Sequence, residues 1–468
     1  MNGLPHYQSR RAFLSQTGGA LAAFALAQLD GGGGLRHHTP RARNVIYLFL
    51  SGGASQLDLF DPKPALIKRR NETLPDSVRG AQRLTSMTDT QKQLSIAPSP
   101  FAFQRRGQCG MELSELLPNL GQVADLLCLV RTLNTEAINH EPAVTFWCSG
   151  HEFPGRPSFG AWLSYGLGCE ARDLPAFVVM TPRWSGPAVD QPLYQRLWGS
   201  GFLPGKHQGV ALRSSGDPVL FLRDPDGLPR DLRRAQLDTL TTINEREFLR
   251  SGDPETRTRI AQYEQSFRLQ SAVPDLVNLA AESPSVRALY GNEVDTPGTF
   301  AQSCLLARRL IERGTRVVQI FHRGWDQHRD LQLDLPKQCR DIDAPAAGLL
   351  LDLKQRGMLD DTLVVCASEF GRTTYAQGNV DEKANGRDHH PRCFSGWLAG
   401  GGARRGHVHG TTDEFGYNIA EDGVHVHDFN ATLLHLLGFD HQQLLFQHEG
   451  RPMRLTDVAG KVVPGLIA

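Results

Sequence analysis

Apolar residues in this chain gather into short continuous runs, each closed by polar or Gly-rich sequence. Asn44 to Leu50 (NVIYLFL), Leu126 to Val130, Pro175 to Met180, Arg316 to Phe321 (RVVQIF), Thr362 to Ala367 (TLVVCA) and Phe394 to Ala399 are such runs. They are too short for ordinary helices and rich in β-branched or aromatic residues, so each predicts a strand buried on both faces. Elsewhere the spacing turns helical. Glu112 to Asp125 sets Leu113, Leu116, Leu117 and Leu120 on one face, and Pro142 to Cys148 opens another helix. Phe300 to Arg313 and Pro345 to Arg356 each lead into a strand, and Asp428 caps a last helix through Leu437. Alternation of helix and strand is the mark of βαβ units and a parallel sheet.

The predicted fold class is therefore α/β, with a mainly parallel central sheet. At 468 residues the chain has room for one large domain with insertions, or for two domains. Residues 184–226 are rich in Gly, Pro and aromatics, and 228–279 are polar with helical spacing. Residues from about 181 to 297 are read as a helical and loop insertion or cap on a domain spanning 44–468.

Charge and the N-terminus narrow the setting. Lys plus Arg and Asp plus Glu both number 50, with no basic stripe or acidic tail, which argues against nucleic acid or an anionic membrane as the main partner. Ser9-Arg10-Arg11-Ala12-Phe13-Leu14 is a twin-arginine pattern, followed by an apolar run from Ala20 to Leu29 with Ala25-Leu26-Ala27 as a cleavage site. Residues 1–43 are read as signal and linker, the mature chain as periplasmic or secreted, and without an integral membrane segment. Cargo of that pathway crosses the membrane folded, often with a cofactor loaded, which favours a metal. The eight cysteines form no CxxC pair, so no thiolate zinc site is expected, and Cys366 reads as a buried free thiol.

The chemistry collects where strands end, which is where open α/β sheets bind ligands. Arg316 to Phe321 runs on to Asp326 and His328, and Thr362 to Ala367 to Glu369 and Arg372. Asp388-His389-His390 follows in a Gly-rich loop. Alternate residues of extended chain share a side, so Asp326 and His328 could face one ion. Adjacent histidines point apart, so one of His389 and His390 is expected to join them. Carboxylates and imidazoles of this kind suit a divalent metal ion: zinc, manganese or calcium. Glu369 is a metal ligand or general base, with a salt bridge to Arg372 as the alternative. His140, in Asn139-His140-Glu141, is a nucleophile, ligand or general acid, or a loop residue. The pairs His407/His409 and His425/His427 read as surface or outlying positions in β-hairpins. Ser55 lacks the closing glycine of a nucleophile elbow, and no phosphate-cradling GxxxxGK stretch occurs.

Ser51-Gly-Gly-Ala-Ser-Gln-Leu-Asp-Leu-Phe-Asp-Pro-Lys-Pro64, Gly-Trp-Asp-Gln-His328, Ser-Glu-Phe-Gly-Arg-Thr373 and Gly-Arg-Asp-His-His-Pro391 resemble the bacterial DUF1501 family over nearly the whole mature chain. The resemblance implies an alkaline phosphatase-like α/β/α sandwich, related to sulfatases, with a metal site at the strand ends. It implies metal ligands at Asp326, His328, Glu369 and His389 or His390. Catalytic roles are implied for His140, Glu369 and Arg372, the last as an anion clamp. The expected activity is hydrolysis of a sulfate or phosphate ester of a small molecule or polysaccharide. The alternative is a non-catalytic envelope protein that keeps the fold. Ser51 and Phe370 replace an Asp and a His of the superfamily pattern, and no C-x-P-S-R sequence is present, so ordinary two-metal or formylglycine chemistry is not expected.

Overall fold

A computed structural model describes residues 35–187, 191–213 and 228–468. The twin-arginine segment, the apolar run, the cleavage site and Gly31 to Gly34 lie outside the described residues.

The apolar runs form strands as expected. In chain order the central sheet begins with β1 (Asn44–Leu50), β2 (Leu127–Asn134), β3 (Phe177–Met180), β4 (Val210–Leu212), β5 (Val317–His322) and β6 (Thr362–Ala367). A separate antiparallel ribbon follows, β7 (Gly371–Gln377) with β8 (Gly386–His390). The sheet is completed by β9 (Phe394–Ala399), β10 (His407–His409) and β11 (Val424–His425). Its nine strands lie in the order β10-β2-β9-β6-β1-β5-β3-β4, with β11 beside β2, and β9 alone runs antiparallel to its neighbours.

Alternation along β1 shows why the sheet is buried on both sides. Ile46, Leu48 and Leu50 belong to one apolar core, while Val45, Tyr47 and Phe49 belong to the other. The main helices are α1 (His140–Ser149), α2 (Phe159–Leu167), α3 (Arg230–Ser251), α4 (Pro254–Val277), α5 (Phe300–Glu312), α6 (Leu331–Gln355) and α7 (Val426–Leu436). Residues of α5 and α6 fill the first core, and residues of α1, α2 and α7 the second. The result is an α/β/α arrangement around a mainly parallel sheet.

Four expectations need correction, the first being the cap of the last helix: α7 starts at Val426 with His425, not Asp428, at its N-cap. Glu112 to Asp125 is not one helix: Met111–Ser114 pairs with Phe103–Arg106 as a hairpin, and only Pro118–Gln122 is α-helical. Pro118 disfavours helical backbone at Leu117, so the helix can begin only after it. The helix read from Pro345 starts fourteen residues earlier, at Leu331, and runs through both Pro336 and Pro345. Burial of Leu335, Ile342, Leu349 and Leu350 on α6 offsets the backbone bonds that the prolines remove. Finally, the two HxH pairs are not hairpins: β10 and β11 each pair in parallel with β2.

Residues 181–297 supply the edge strand β4 and the helices α3 and α4, joined by a bond of Arg234 to Glu264 at 2.5 Å. All eight cysteines are free thiols, and Cys366 is buried as expected. No described helix is long and apolar enough to cross a membrane.

Candidate metal centre

Four loops leaving the carboxyl ends of β1, β2, β5 and β6 build the site, and the β7–β8 ribbon folds over it. Asp326 and His328 come from the β5 loop, His140 from the first residue of α1 after β2, and His389 from β8, where it pairs with Arg372 of β7. One ligand-capable atom from each of His140, Asp326, His328 and His389 lies within 4.8 Å of every other. The Nε2 atoms of His328, His140 and His389 stand 3.0, 3.2 and 3.5 Å from Asp326 Oδ1.

The outward Nδ1 atoms explain this convergence. His140 Nδ1 is 2.8 Å from Glu369 Oε1, His389 Nδ1 is 2.8 Å from the Ile138 carbonyl, and His328 Nδ1 is 2.5 Å from Gln377 Oε1. A carboxylate and a carbonyl can only accept, so Nδ1 of His140 and His389 carries the proton and donates. Gln377, with its oxygen so placed, fixes His328 in the same way. That leaves the Nε2 lone pairs pointing inward, the orientation that metal-binding imidazoles require. The Nε2 atoms of His328 and His389 are then only 2.9 Å apart, a repulsive pair of lone pairs unless a cation lies among them. His140 Nε2 is buried and has no aligned hydrogen-bond partner. Donor set and orphaned atom both fit a divalent ion bound by three imidazoles and a carboxylate.

Electrostatics set which groups carry charge in the ion-free centre. Burial opposes ionisation of Asp326, but the Arg372 guanidinium and the three imidazoles hold its carboxyl far below the usual range. Burial also opposes charging of His140, yet the Asp326 and Glu369 carboxylates beside it raise its pKa to about 8, so in the ion-free centre Nε2 takes up a proton that a bound ion would have to displace. Burial, only partly offset by Asp326, lowers His389 to about 4, so its ring is neutral. A cleft of about 80 Å³ reaches the centre between Ser51, His140, Thr145 and Gln191, with Tyr194 and Arg196 at its lip. Gln191 also donates to Asp326 Oδ2 at 3.3 Å, tying residues 181–297 to the site.

Several expected roles change. Of the roles left open for His140, the position of its Nε2 in the cluster fits that of a ligand. Glu369 stands behind His140 and not among the inward atoms: its Oε1 also accepts from Gly52 N at 2.8 Å, and its Oε2 from Ser368 at 3.1 Å. His390 faces away from the centre, with Nε2 donating to the Tyr417 carbonyl at 2.8 Å. Arg372 is fully buried, with its donors already engaged, so it is no anion clamp. The Ser55 hydroxyl donates to Asp58 at 2.5 Å, which removes the nucleophile-elbow idea. Gln377, Gln191 and the Ile138 carbonyl were missed, since none lies in a motif.

The fold and site together define a class: an α/β protein with a candidate metal centre on the carboxyl rim of a mainly parallel sheet. More narrowly, the chain belongs to the DUF1501 family, described as a protein of unknown function, whose profile matches residues 42–467. No curated protein matches it. Among solved structures it is similar to a sulfatase from Pseudoalteromonas sp., at 12% identity and TM-score 0.33, over 91% of this chain and 72% of that one. It is also similar to alkaline phosphatase from the Antarctic bacterium TAB5, at 10% identity and TM-score 0.28, over 85% and 98%. A phosphonate monoester hydrolase from Silicibacter pomeroyi matches at 11% identity and TM-score 0.30, over 69% and 68%.

Proposed function

We propose that this chain is an exported, metal-dependent hydrolase acting on a sulfate or phosphate ester, exported by the twin-arginine route. The observation that carries the reading is the inward turn of three Nε2 atoms onto one partly buried carboxylate at the strand ends. His140, His328, His389 and Asp326 hold the ion, and Glu369, Gln377 and the Ile138 carbonyl keep the rings in the binding tautomer. A bound divalent ion supplies Lewis-acid polarisation of an ester oxygen or acidification of a water. The cleft beside His140 admits a group about the size of one tetrahedral anion, while Tyr194 and Arg196 meet the rest of a small molecule or polysaccharide at its lip.

Metal content of the purified mature protein, beside Asp326→Ala and His328→Ala, tests the centre. The expected result is bound metal in the parent and its loss in both variants. Metal-free parent, or full occupancy in both variants, overturns the assignment. A panel of aryl sulfates and phosphates then tests turnover by the metal-bound protein.

The burial of Arg372 favours a second reading, a metal-binding envelope protein without turnover, because its guanidinium is engaged by protein oxygens and is not offered to an oxyanion. Full metal occupancy with no hydrolysis across the panel supports that reading.

A further inference from the structure

α3 buries little of itself. Of its 22 residues only Leu237 is buried. One face rests on α4: Arg234 bonds Glu264, and the guanidiniums of Arg230 and Arg234 lie 4.4 and 5.0 Å from the centre of the Phe267 ring. α4 in turn is anchored by Leu269, Val273 and Leu276, which belong to the first core. α3 is thus held through α4, with its outer face turned to solvent.

That outer face carries large apolar side chains. Leu232, Leu240 and Ile243 are 50, 39 and 54% exposed. At 3.6 residues per turn, Leu232 and Ile243 lie about 20° apart around the axis, with Leu240 within about 80° of both. Leu237, which faces α4, is about 120–140° away from Leu232 and Ile243. One exposed leucine is ordinary on a protein surface, but three along a strip about 16 Å long mark a contact. Charge borders the strip. Asp231 and Arg246 are exposed and lie about 60° apart on the same flank of it. Among the described residues, neither side chain has a hydrogen-bond or ion-pair partner.

We propose that α3 is the contact helix of a two-fold homodimer, packed antiparallel against α3 of a second copy. A two-fold axis sets one residue against a second and the second against the first, so the surface has to fit itself. Packing centred near Thr239 brings Leu232 to Ile243 of the second copy, and Leu240 to Leu240 of the second copy. The same packing brings Asp231 to Arg246 of the second copy, twice in each dimer. The midpoints of these three pairs fall within about 4 Å of one another along the axis, so one register serves them all. Parallel packing would set Asp231 against Asp231 and Arg246 against Arg246, like charges that exclude that orientation. The inference stands on α3 and is independent of the metal centre.

Sedimentation equilibrium of the purified chain across the micromolar range is the test, with circular dichroism as the check on folding. The parent is expected to form a reversible dimer, and Leu232→Glu and Ile243→Glu to stay monomeric at the same concentrations. Asp231→Arg and Arg246→Asp each place like charges opposite one another and are expected to weaken association roughly tenfold. Combining Asp231→Arg with Arg246→Asp reverses both signs and should restore association to the parent's strength. A monomeric parent overturns the proposal, as does a dimer that survives both glutamate variants. Single charge variants that associate like the parent, or a double variant that recovers nothing, overturn it too. A monomeric parent that sediments with phosphatidylglycerol vesicles assigns the face to a lipid surface instead.

Discussion

Glu369 Oε1 lies 2.8 Å from His140 Nδ1 and accepts its hydrogen bond, which turns His140 Nε2 toward Asp326. The carboxylate thus acts on the centre through the imidazole, without touching the ligand cluster. Partners of this kind fix ring orientation and raise ligand basicity, and their loss commonly weakens metal binding 10–100-fold. Glu369→Ala is expected to weaken binding by about that range. Glu369→Gln, which keeps an oxygen acceptor, should lose less. Competition with a chromophoric chelator measures both, and unchanged affinity in Glu369→Ala would remove the positioning role.

His389 and His390 are neighbours with opposite duties. His389 turns into the centre, while the fully buried His390 packs on Tyr417, ring centroids 4.4 Å apart. His389→Ala is therefore expected to lose metal with little change in the melting of the metal-free chain. His390→Ala should keep its metal and melt earlier, by a destabilisation of roughly 1–3 kcal/mol for the unpaired polar groups left behind. Elemental analysis and thermal unfolding of the chelated proteins separate the two. Metal loss in His390→Ala alone would exchange the assignments.

The sequence made the strands legible because their signal is local. β1, β6 and β9 occupy the residues that the apolar runs mark, and β5 is displaced by one. Asp326 and His328 were legible too, since both directly follow a strand end. What was hidden depends on contacts across the chain. The β7–β8 ribbon joins polar segments with no alternating apolar face, so nothing local marks it as paired or shows that His389, not His390, turns inward. The distinction between His140 and Glu369 as ligand and support is set by which atom of each reaches the cluster. The fate of Arg372 depends on carbonyls from four separate positions, Gly52, Gly53, Trp325 and Arg387, which no spacing reveals.

Away from the metal centre, the first core holds a buried ionic network. Asp352 accepts from Arg308 Nε at 2.8 Å, from the Tyr290 hydroxyl at 2.8 Å and from Arg356 Nε at 2.7 Å. Arg308 has no exposed side-chain surface and also meets Glu282 at 2.8 Å. Removing one member of such a set strands the others in a low dielectric, a loss of about 3–5 kcal/mol. Asp352→Ala is expected to lower stability by about that amount in denaturant titrations. Its metal stoichiometry should not change, because no member of the network touches the centre. A shift under about 1 kcal/mol would mean that the remaining acidic groups re-form the network.

Acid should weaken the fold through His390 in a defined window. Burial lowers its pKa from the ordinary 6.5 to about 4. The Tyr417 carbonyl, which accepts from Nε2–H, opposes the shift only in part, and Nδ1 accepts from the Gln82 amide at 3.2 Å. A second ring proton would face that amide's own N–H groups. Between the two values the unfolded chain takes up a proton that the folded chain refuses, so stability falls as pH drops below 6.5 and levels off below about 4. The full loss from this one group is on the order of 3 kcal/mol. Urea titrations of the chelated protein at steps through that window measure the slope. His390→Gln, which cannot charge, should show a shallower acid dependence than the parent by that amount, and parallel curves for the two proteins would exclude His390 as its source.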